Sequence, residues 1–248
     1  MMRCADGTEP GAFDEEQAKA YAAATDIETE FLHDQVLVEI LGQHARGAVL
    51  DLGGGMGRYA AWLLKMGLAR SVHVLDNSPS MIDECLRRGL PGLTAQVGDL
   101  ETADLGRETY DLALARFVLM HIRDLHGTLN RITTSLKDKG TLVVVTNIID
   151  GPSTDLKTFL EETSSIMKLI LQVKGQPIPV SNYVRMQEDY TTVLQQSGLS
   201  IEFSEKYEPK ILRLEKEHPG IRLSHLVLIG KKQEKENEAT GFKCCGSV

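Results

Sequence analysis

The chain has 248 residues, of which 42% are hydrophobic, which is enough to bury the core of one α/β domain but too few for two full domains. Its formal net charge of −8 gives no positive field to attract a phosphate backbone, so we expect no nucleic-acid partner. The four cysteines form no C-x-x-C pair and no window approaches the ~20 apolar residues of a transmembrane helix, so we expect a reduced cytoplasmic protein without a metal site.

Two helices are predicted near the start of the chain. Alanine-rich helix formers run over 15–27, and apolar residues recur at spacings of three and four from Ile27 to Leu41. Either these helices cover one face of a sheet, or the first of them, which contains Tyr21, closes over a bound ligand. We therefore predict a flexible terminus over 1–14 followed by N-terminal helices over 15–45.

A short apolar run that ends in an acid and a glycine-rich turn organises the chain. Val49 to Leu52 is typical of a buried parallel strand that carries Asp51, and a helix is predicted over 58–65. The glycines at 53–57 lie between them. Glycine allows a tight turn with φ > 0 and lets a ligand approach the backbone without meeting a Cβ. This stretch predicts half of a nucleotide site.

A second strand, over 72–76, also ends in an acid. Asp76 lies 19 residues after Gly57, where a doubly wound nucleotide site places a carboxylate on the ribose hydroxyls. Alternatively, Asp76 caps the helix predicted over 79–88. Because Asn77 or Ser78 can cap that helix, we favour the ligand role for Asp76.

Strands and helices continue to alternate along the chain. Three further strands are predicted over 93–97, 110–115 and 141–146, with a helix over 125–136. This alternation favours a parallel sheet with right-handed crossovers and a ligand at the carboxyl ends of the strands.

The alternation loosens after residue 150. Apolar residues between Phe159 and Val173 suggest a helix, residues 175–179 break it, and 183–186 follow as an extended piece. We predict that this segment is an inserted lid over 150–188 that contacts the substrate. The remaining predicted elements are a helix over 188–197, strands over 199–207 and 224–231, and a flexible charged tail over 232–248 that follows a single domain over 15–231.

This order of motifs resembles that of the class I S-adenosylmethionine-dependent methyltransferases, and the small-molecule branch in particular. The resemblance is carried by Asp51-Leu52-Gly53-Gly54-Gly55-Met56-Gly57, which matches acid-x-Gly-x-Gly-x-Gly, and by Asp76, Gly98-Asp99-Leu100 and the region 116–122. It implies a doubly wound, Rossmann-like α/β fold with a mostly parallel seven-stranded sheet whose last strand is antiparallel. It also implies S-adenosyl-L-methionine as cofactor and S-adenosyl-L-homocysteine as product.

The resemblance further implies a role for each matching residue at the methionine end of the cofactor. Gly53, Gly55 and Gly57 would make room for the methionine moiety. Asp51 would help to hold its ammonium group, and the backbone at Arg116 would touch the same end.

At the nucleoside end, the resemblance implies contacts from the second and third strands. Asp76 would bind the ribose hydroxyls and Asp99 the adenine amino group. The Leu100 amide would bind an adenine ring nitrogen, and Met81 would pack on the ring. The remaining predicted cofactor contacts are Tyr21 and Asn77.

Three acids at successive strand ends agree with this cofactor, because S-adenosylmethionine offers an ammonium, a diol and an exocyclic amine but no pyrophosphate. The rival is a nicotinamide dinucleotide, since Gly55 to Ala60 also fits Gly-x-Gly-x-x-Ala. In that scheme Asp51 would set a carboxylate near the pyrophosphate, which is unfavourable, and Asp99 would have no role. An oxidoreductase is therefore the less favoured function.

The acceptor is less sharply predicted than the cofactor. His121, in a Leu-x-His pattern common in the family, is the candidate base, with a packing or hydrogen-bonding role as the alternative. His33 and Tyr183 are candidate substrate contacts. No signature of base or arginine methylation is present, so a small molecule is the leading acceptor. A protein acceptor and a non-catalytic cofactor-binding protein are the alternatives.

The last residues contain one unusual pair of cysteines. Cys245 stands four residues from the end, as in a prenylation box, beside Cys244. Gly246 and Ser247 suit that box poorly, so we expect free thiols on a disordered tail rather than lipidation.

Overall fold

The main sheet contains seven strands in the order β3-β2-β1-β4-β5-β10-β8. The computed structural model describes residues 35–163, 165–173, 176–208, 212–214, 218 and 220–234. The strands of the main sheet are β1 (Ala48–Leu52), β2 (Ser71–Asp76), β3 (Leu93–Val97), β4 (Tyr110–Arg116), β5 (Leu136–Asp150), β8 (Leu199–Tyr207) and β10 (Arg222–Lys232).

Strand directions confirm the predicted topology. Strands β1 to β5 pair in parallel, and β10 pairs antiparallel with both β5 and β8. Strand β5 extends beyond the predicted end at Thr146, because β10 continues to pair with it up to the Arg222–Asp150 pair. Strand order reverses between β1 and β4, which is where ligands bind in sheets of this kind.

Helices cover both faces of this sheet. On one face, α1, α2 and α3 pack through Leu41, Leu63 and Ile82. On the opposite face, α4 and α6 pack through Leu129 and Leu194. The helix bounds are α1 (Gln35–His44), α2 (Arg58–Lys65), α3 (Pro79–Arg87), α4 (Leu125–Ser135), α5 (Ser153–Thr163) and α6 (Gln187–Gln196). None of these described helices is long and apolar enough to cross a membrane.

The segment predicted as a lid forms a small sheet of its own, with α5 before it. Its strands β6 (Ile166–Val173), β7 (Gln176–Tyr183) and β9 (Leu212–Leu214) are arranged in the order β7-β6-β9. We call α5, β6 and β7 the insert. Its apolar cluster is formed by Ile149 of β5 with Phe159, Met167 and Leu169.

The helix predicted to extend to Val173 is therefore wrong beyond α5. Met167 and Leu169 are buried while Lys168 between them is exposed, which is the alternation of a strand. Pro177 and Pro179, predicted to break a helix, lie in β7, which is an edge strand and so tolerates residues that cannot donate a hydrogen bond.

Several predictions fall on residues outside the described ranges. They concern the terminus over 1–14, the first N-terminal helix with Tyr21, residue His33, and Cys244 and Cys245. Of the second N-terminal helix, the structure describes the part that forms α1.

Candidate functional site

The glycine turn between β1 and α2 adopts the backbone that its sequence predicts. Gly53, Gly55 and Gly57 have φ angles of 63°, 54° and 68°, in the region that side chains disfavour. A Cβ at Gly57 would lie 2.4 Å from the Sγ atom of Cys85, so protein atoms already fill that space. A Cβ at Gly55 would have its nearest neighbour 3.8 Å away, so room for a ligand remains there.

Asp51 is the most perturbed acid of the site. It is 3% exposed, and its Oδ2 atom has no hydrogen-bond partner among the described residues. Burial raises the pKa of this carboxyl to about 7, the negative charge of Asp76 adds to the increase, and the positive charge of Arg116 opposes it. A buried carboxylate oxygen that lacks a donor is costly unless a ligand supplies one.

Asp76 connects the end of β2 to the glycine turn. Its Oδ2 accepts a hydrogen bond from the Gly55 amide at 2.9 Å, and its Oδ1 accepts one from the Ser78 amide at 2.9 Å. The cap of α3 is Ser78, whose hydroxyl accepts from the Met81 amide, so Asp76 is not needed for that role. Each carboxylate oxygen can accept a further bond, which leaves capacity for ribose hydroxyls.

The predicted adenine contacts lie at the end of β3. Asp99 is exposed, and its Oδ1 accepts a hydrogen bond from the Glu101 amide at 2.8 Å. Leu100 and Met81 are buried, and Met81 contributes the atom nearest to a Cβ built at Gly55. Asn77, which follows Asp76, is exposed.

The three predicted acids occupy the ends of three neighbouring strands. Asp51 pairs with Val74 of β2, and Asp76 pairs with Val97 of β3, two residues before Asp99. The structure therefore aligns them along one edge of the sheet in the order β3, β2, β1.

The end of β4 carries an arginine between two aromatic rings. The guanidinium carbon of Arg116 lies 5.1 Å from the centre of the Tyr59 ring and 4.8 Å from that of Phe117. Phe117 has a φ angle of 51°, which is unusual for a side chain of this size. The sequence predicted only a backbone contact at Arg116 and gave no signal for the strained residue after it.

His121 lies in a single turn of 3-10 helix over Leu119–His121, after β4. Its imidazole donates a hydrogen bond to the carbonyl oxygen of Ser181 in β7. Burial is the main reason that its pKa is lowered to about 4; the hydrogen bond to Ser181 opposes this decrease and the positive charge of Arg185 contributes to it. Tyr183 lies in the same strand as Ser181, with its ring centre 5.2 Å from the guanidinium carbon of Arg185.

Comparison with known proteins agrees with this geometry. Residues 50–144 match the family model of a methyltransferase domain. These residues form a class I S-adenosylmethionine-dependent methyltransferase domain. The methyltransferase domain includes the glycine turn and the strands that carry Asp51, Asp76 and Asp99.

Curated relatives match about half of this chain at low identity. A malonyl-[acyl-carrier protein] O-methyltransferase from Acetivibrio thermocellus is 28% identical over 130 residues, which cover 52% of this chain and 46% of that protein. The chain spans about half the length of the curated relatives it matches.

Solved structures share the fold. An S-adenosylmethionine-dependent methyltransferase from Mesorhizobium loti superposes with a TM-score of 0.57 at 18% identity, over 79% of this chain and 96% of that chain. DhpI, in a complex described as DhpI-SAM-HEP, superposes with a TM-score of 0.60 at 21% identity, over 85% of this chain and 92% of that chain.

Proposed function

We propose that this chain transfers the methyl group of S-adenosylmethionine to a small-molecule acceptor. The observation that carries the proposal is Asp51, whose buried Oδ2 lacks a donor within the described part of the chain. It belongs to β1, beside the reversal of strand order between β1 and β4.

The residues present suit this cofactor. The unpaired oxygen of Asp51 matches an ammonium donor, and Asp76 and Asp99 offer acceptors for a diol and an amine. A Cβ added at Gly55 would have its nearest neighbour 3.8 Å away, so the glycine turn leaves room there. The three carboxylates at these strand ends outnumber the one arginine, Arg116. This balance of charge suits a ligand with an ammonium group and a sulfonium better than a pyrophosphate.

The chain contributes chiefly by positioning. When bound, the cofactor would supply a methyl group activated by its sulfonium: the S–CH3 bond would break as the bond from the acceptor atom to carbon forms, and the proton of a protonated acceptor would pass to solvent water. The Ala60 amide holds Asp51, and Asp76 holds the glycine turn through the Gly55 amide. Alignment of two reactants in this way can supply about 7 to 11 kcal/mol of the barrier.

The structure favours a positioning role for His121 over a role as base. A ring with a pKa of about 4 is neutral at pH 7 but is a weak proton acceptor. Its hydrogen bond to Ser181 joins the turn after β4 to the insert. We therefore propose that His121 orients the insert over the acceptor, and that the acceptor carries a lone pair or an acidic proton of its own.

A protein-carried acceptor is the second candidate. It is favoured by the curated relatives, which are named for methylation of an oxygen on a malonyl group attached to acyl-carrier protein. Free malonyl thioesters and malonyl-acyl-carrier protein, assayed side by side, distinguish the two candidates.

Calorimetric titration tests the cofactor assignment. We expect S-adenosylhomocysteine to bind the wild type and to bind Asp51→Asn at least about tenfold more weakly, because a charge-assisted hydrogen bond is lost. Asp138→Asn is the matched control, since Asp138 is exposed near the opposite end of β5. Binding of NAD in place of S-adenosylhomocysteine would show the proposal to be wrong.

A further inference from the structure

The insert meets the main sheet along a seam, which we define as the contact of β7 and Arg185 with the ends of β4 and β5. Several hydrogen bonds cross it, including those that the Arg185 guanidinium donates to the Leu119 and Ile122 carbonyl oxygens. The Ile149 amide of β5 donates to the Arg185 carbonyl oxygen at 3.0 Å, and the His121 ring donates to the Ser181 carbonyl oxygen. The rest of the seam is largely apolar, because Ile149 packs with Phe159 and Met167.

Asn182 is buried in this seam without a hydrogen-bond partner. Its side chain is 0% exposed, and neither Oδ1 nor Nδ2 meets a partner in the part of the chain that the structure describes. Val180, on the same face of β7, and Val184, just after the strand, pack against the apolar cluster of the insert. An amide buried in this way destabilises the fold, so its presence requires an explanation.

Asn147 repeats this pattern on the other side of the seam. It is 1% exposed, and its Oδ1 has no partner within the described ranges. It lies on β5 between Val145, which packs in the cluster under α1, α2 and α3, and Ile149, which packs under the insert. Because side chains alternate along a strand, Asn147 shares a sheet face with both. It thus lies between that helical layer and the insert.

His121 contributes a third polar atom. While its other ring nitrogen donates to Ser181, its buried Nδ1 has no partner among the residues that the structure describes. The positive charge of Arg185 acts on this ring, and the Arg185 guanidinium already donates to the Leu119 and Ile122 carbonyl oxygens. The polar atoms left over at the seam are therefore uncharged.

We propose that Asn147, Asn182 and His121 form a subsite that binds an uncharged polar group of the methyl acceptor. This inference rests on the proposed transfer to a small molecule and names the chemistry of that molecule. Amide groups offer both donors and acceptors, so a hydroxyl, amide or carbonyl group satisfies them. A carboxylate would be desolvated opposite neutral partners, which is unfavourable.

Entry of the ligand requires the insert to lift from the main sheet, because the three polar groups are buried. The unpaired amides lower the cost of that opening, since water can hydrate them once they are exposed. A ligand that satisfies them favours closure. Asn147 and Asn182 thus make the seam less stable when it is empty, and they supply the groups that recognise the acceptor when it is bound.

Leucine substitutions separate recognition from stability. With saturating S-adenosylhomocysteine, we would titrate the wild type, Asn182→Leu and Asn147→Leu with two uncharged probes, catechol and 4-hydroxybenzamide, and two charged probes, benzoate and 4-hydroxybenzoate. We expect the wild type to prefer the uncharged probes. In both variants we expect about tenfold weaker binding of these probes, unchanged binding of S-adenosylhomocysteine, and a Tm increase of about 2–4 °C.

Thr133→Val is the matched control. Thr133 lies on α4, and its Oγ1 is also buried without a partner as far as the structure describes the chain. We expect this variant to alter Tm without altering the binding of any probe. The Asn147 and Asn182 variants lie on different strands, so the test survives if one of them fails to fold.

Unchanged probe binding in both leucine variants would overturn the subsite, as would a wild type that binds only the carboxylates or none of the probes. A wild type that binds the uncharged probes but produces no S-adenosylhomocysteine from S-adenosylmethionine with any acceptor would overturn the transfer function and leave the binding subsite intact.

Discussion

The guanidinium of Arg185 donates a hydrogen bond to the carbonyl oxygen of Leu119 at 2.8 Å. The same group bonds to the Ile122 carbonyl oxygen and lies 5.2 Å and 5.9 Å from the ring centres of Tyr183 and Tyr190. One side chain therefore holds the turn after β4 against the end of the insert. The carbonyl oxygens of that turn have a fixed cationic partner, and this contact orients the turn relative to the insert.

We expect Arg185→Met to separate the insert from this turn. Loss of the hydrogen bonds should lower the free energy of unfolding by about 2–3 kcal/mol, measured in urea. It should raise the acceptor KM while leaving the binding constant of S-adenosylhomocysteine within about twofold, because no cofactor contact is removed. Arg87→Met is the control, since Arg87 is exposed and forms an ion pair with Glu84 on the same helix. Equal loss of cofactor and acceptor binding would contradict this role.

Cofactor affinity should depend on pH through Asp51. Its pKa of about 7 means that protons compete with the ligand ammonium for the carboxylate below neutrality. Affinity should therefore be full above about pH 8 and fall by up to about tenfold per pH unit below 7. Calorimetry with S-adenosylhomocysteine between about pH 5.5 and 8.5 measures this slope. In Asp51→Asn the affinity should no longer depend on pH in this range. A steep pH dependence in that variant would show that another group is responsible.

Replacement of Gly57 by alanine should destabilise the domain through two effects. The left-handed backbone disfavours a side chain by about 1–2 kcal/mol, and the new Cβ would lie 2.4 Å from the Sγ atom of Cys85. Gly67→Ala isolates the first effect, because Gly67 has a φ angle of 65° and a Cβ added there would have no described atom within 4 Å. Urea unfolding should show the larger loss for Gly57→Ala, and equal losses would exclude the packing effect.

His121→Asn should distinguish a base from a positioning group. If His121 orients the insert, the variant should raise the acceptor KM several-fold and leave the shape of the kcat–pH profile unchanged. A base should instead lose kcat by about 10²-fold or more, with loss of its limb in that profile. Binding of S-adenosylhomocysteine serves as the internal control in both cases.

The sequence predicted the ends of β1, β2 and β3 well because their signals are local. Strands β1, β2 and β3 end within a residue or so of the predicted positions, where an acid or a glycine follows an apolar run. Glycine φ angles and strand-end acids are properties of short stretches, and the register of neighbouring parallel strands then places the acids in one row.

The insert was predicted poorly because its strands depend on distant pairing. Residues 166–173 are apolar enough for a helix, and only their pairing with β7 and β9 makes them a strand. The burial of Asn182 follows from the same pairing and has no local signal. Asn147 did offer one, since it interrupts the apolar run from Leu142 to Ile149 with an amide.

Strand β9 limits which parts of this fold can be exchanged between proteins. Residues 169–171 pair with 212–214, so the small sheet is completed by chain that follows β8. The insert is thus not a cassette that evolution or an engineer can exchange by cutting at its two ends. A graft of 153–183 alone would carry an unpaired β6 edge into its new host, and such an edge recruits other chains.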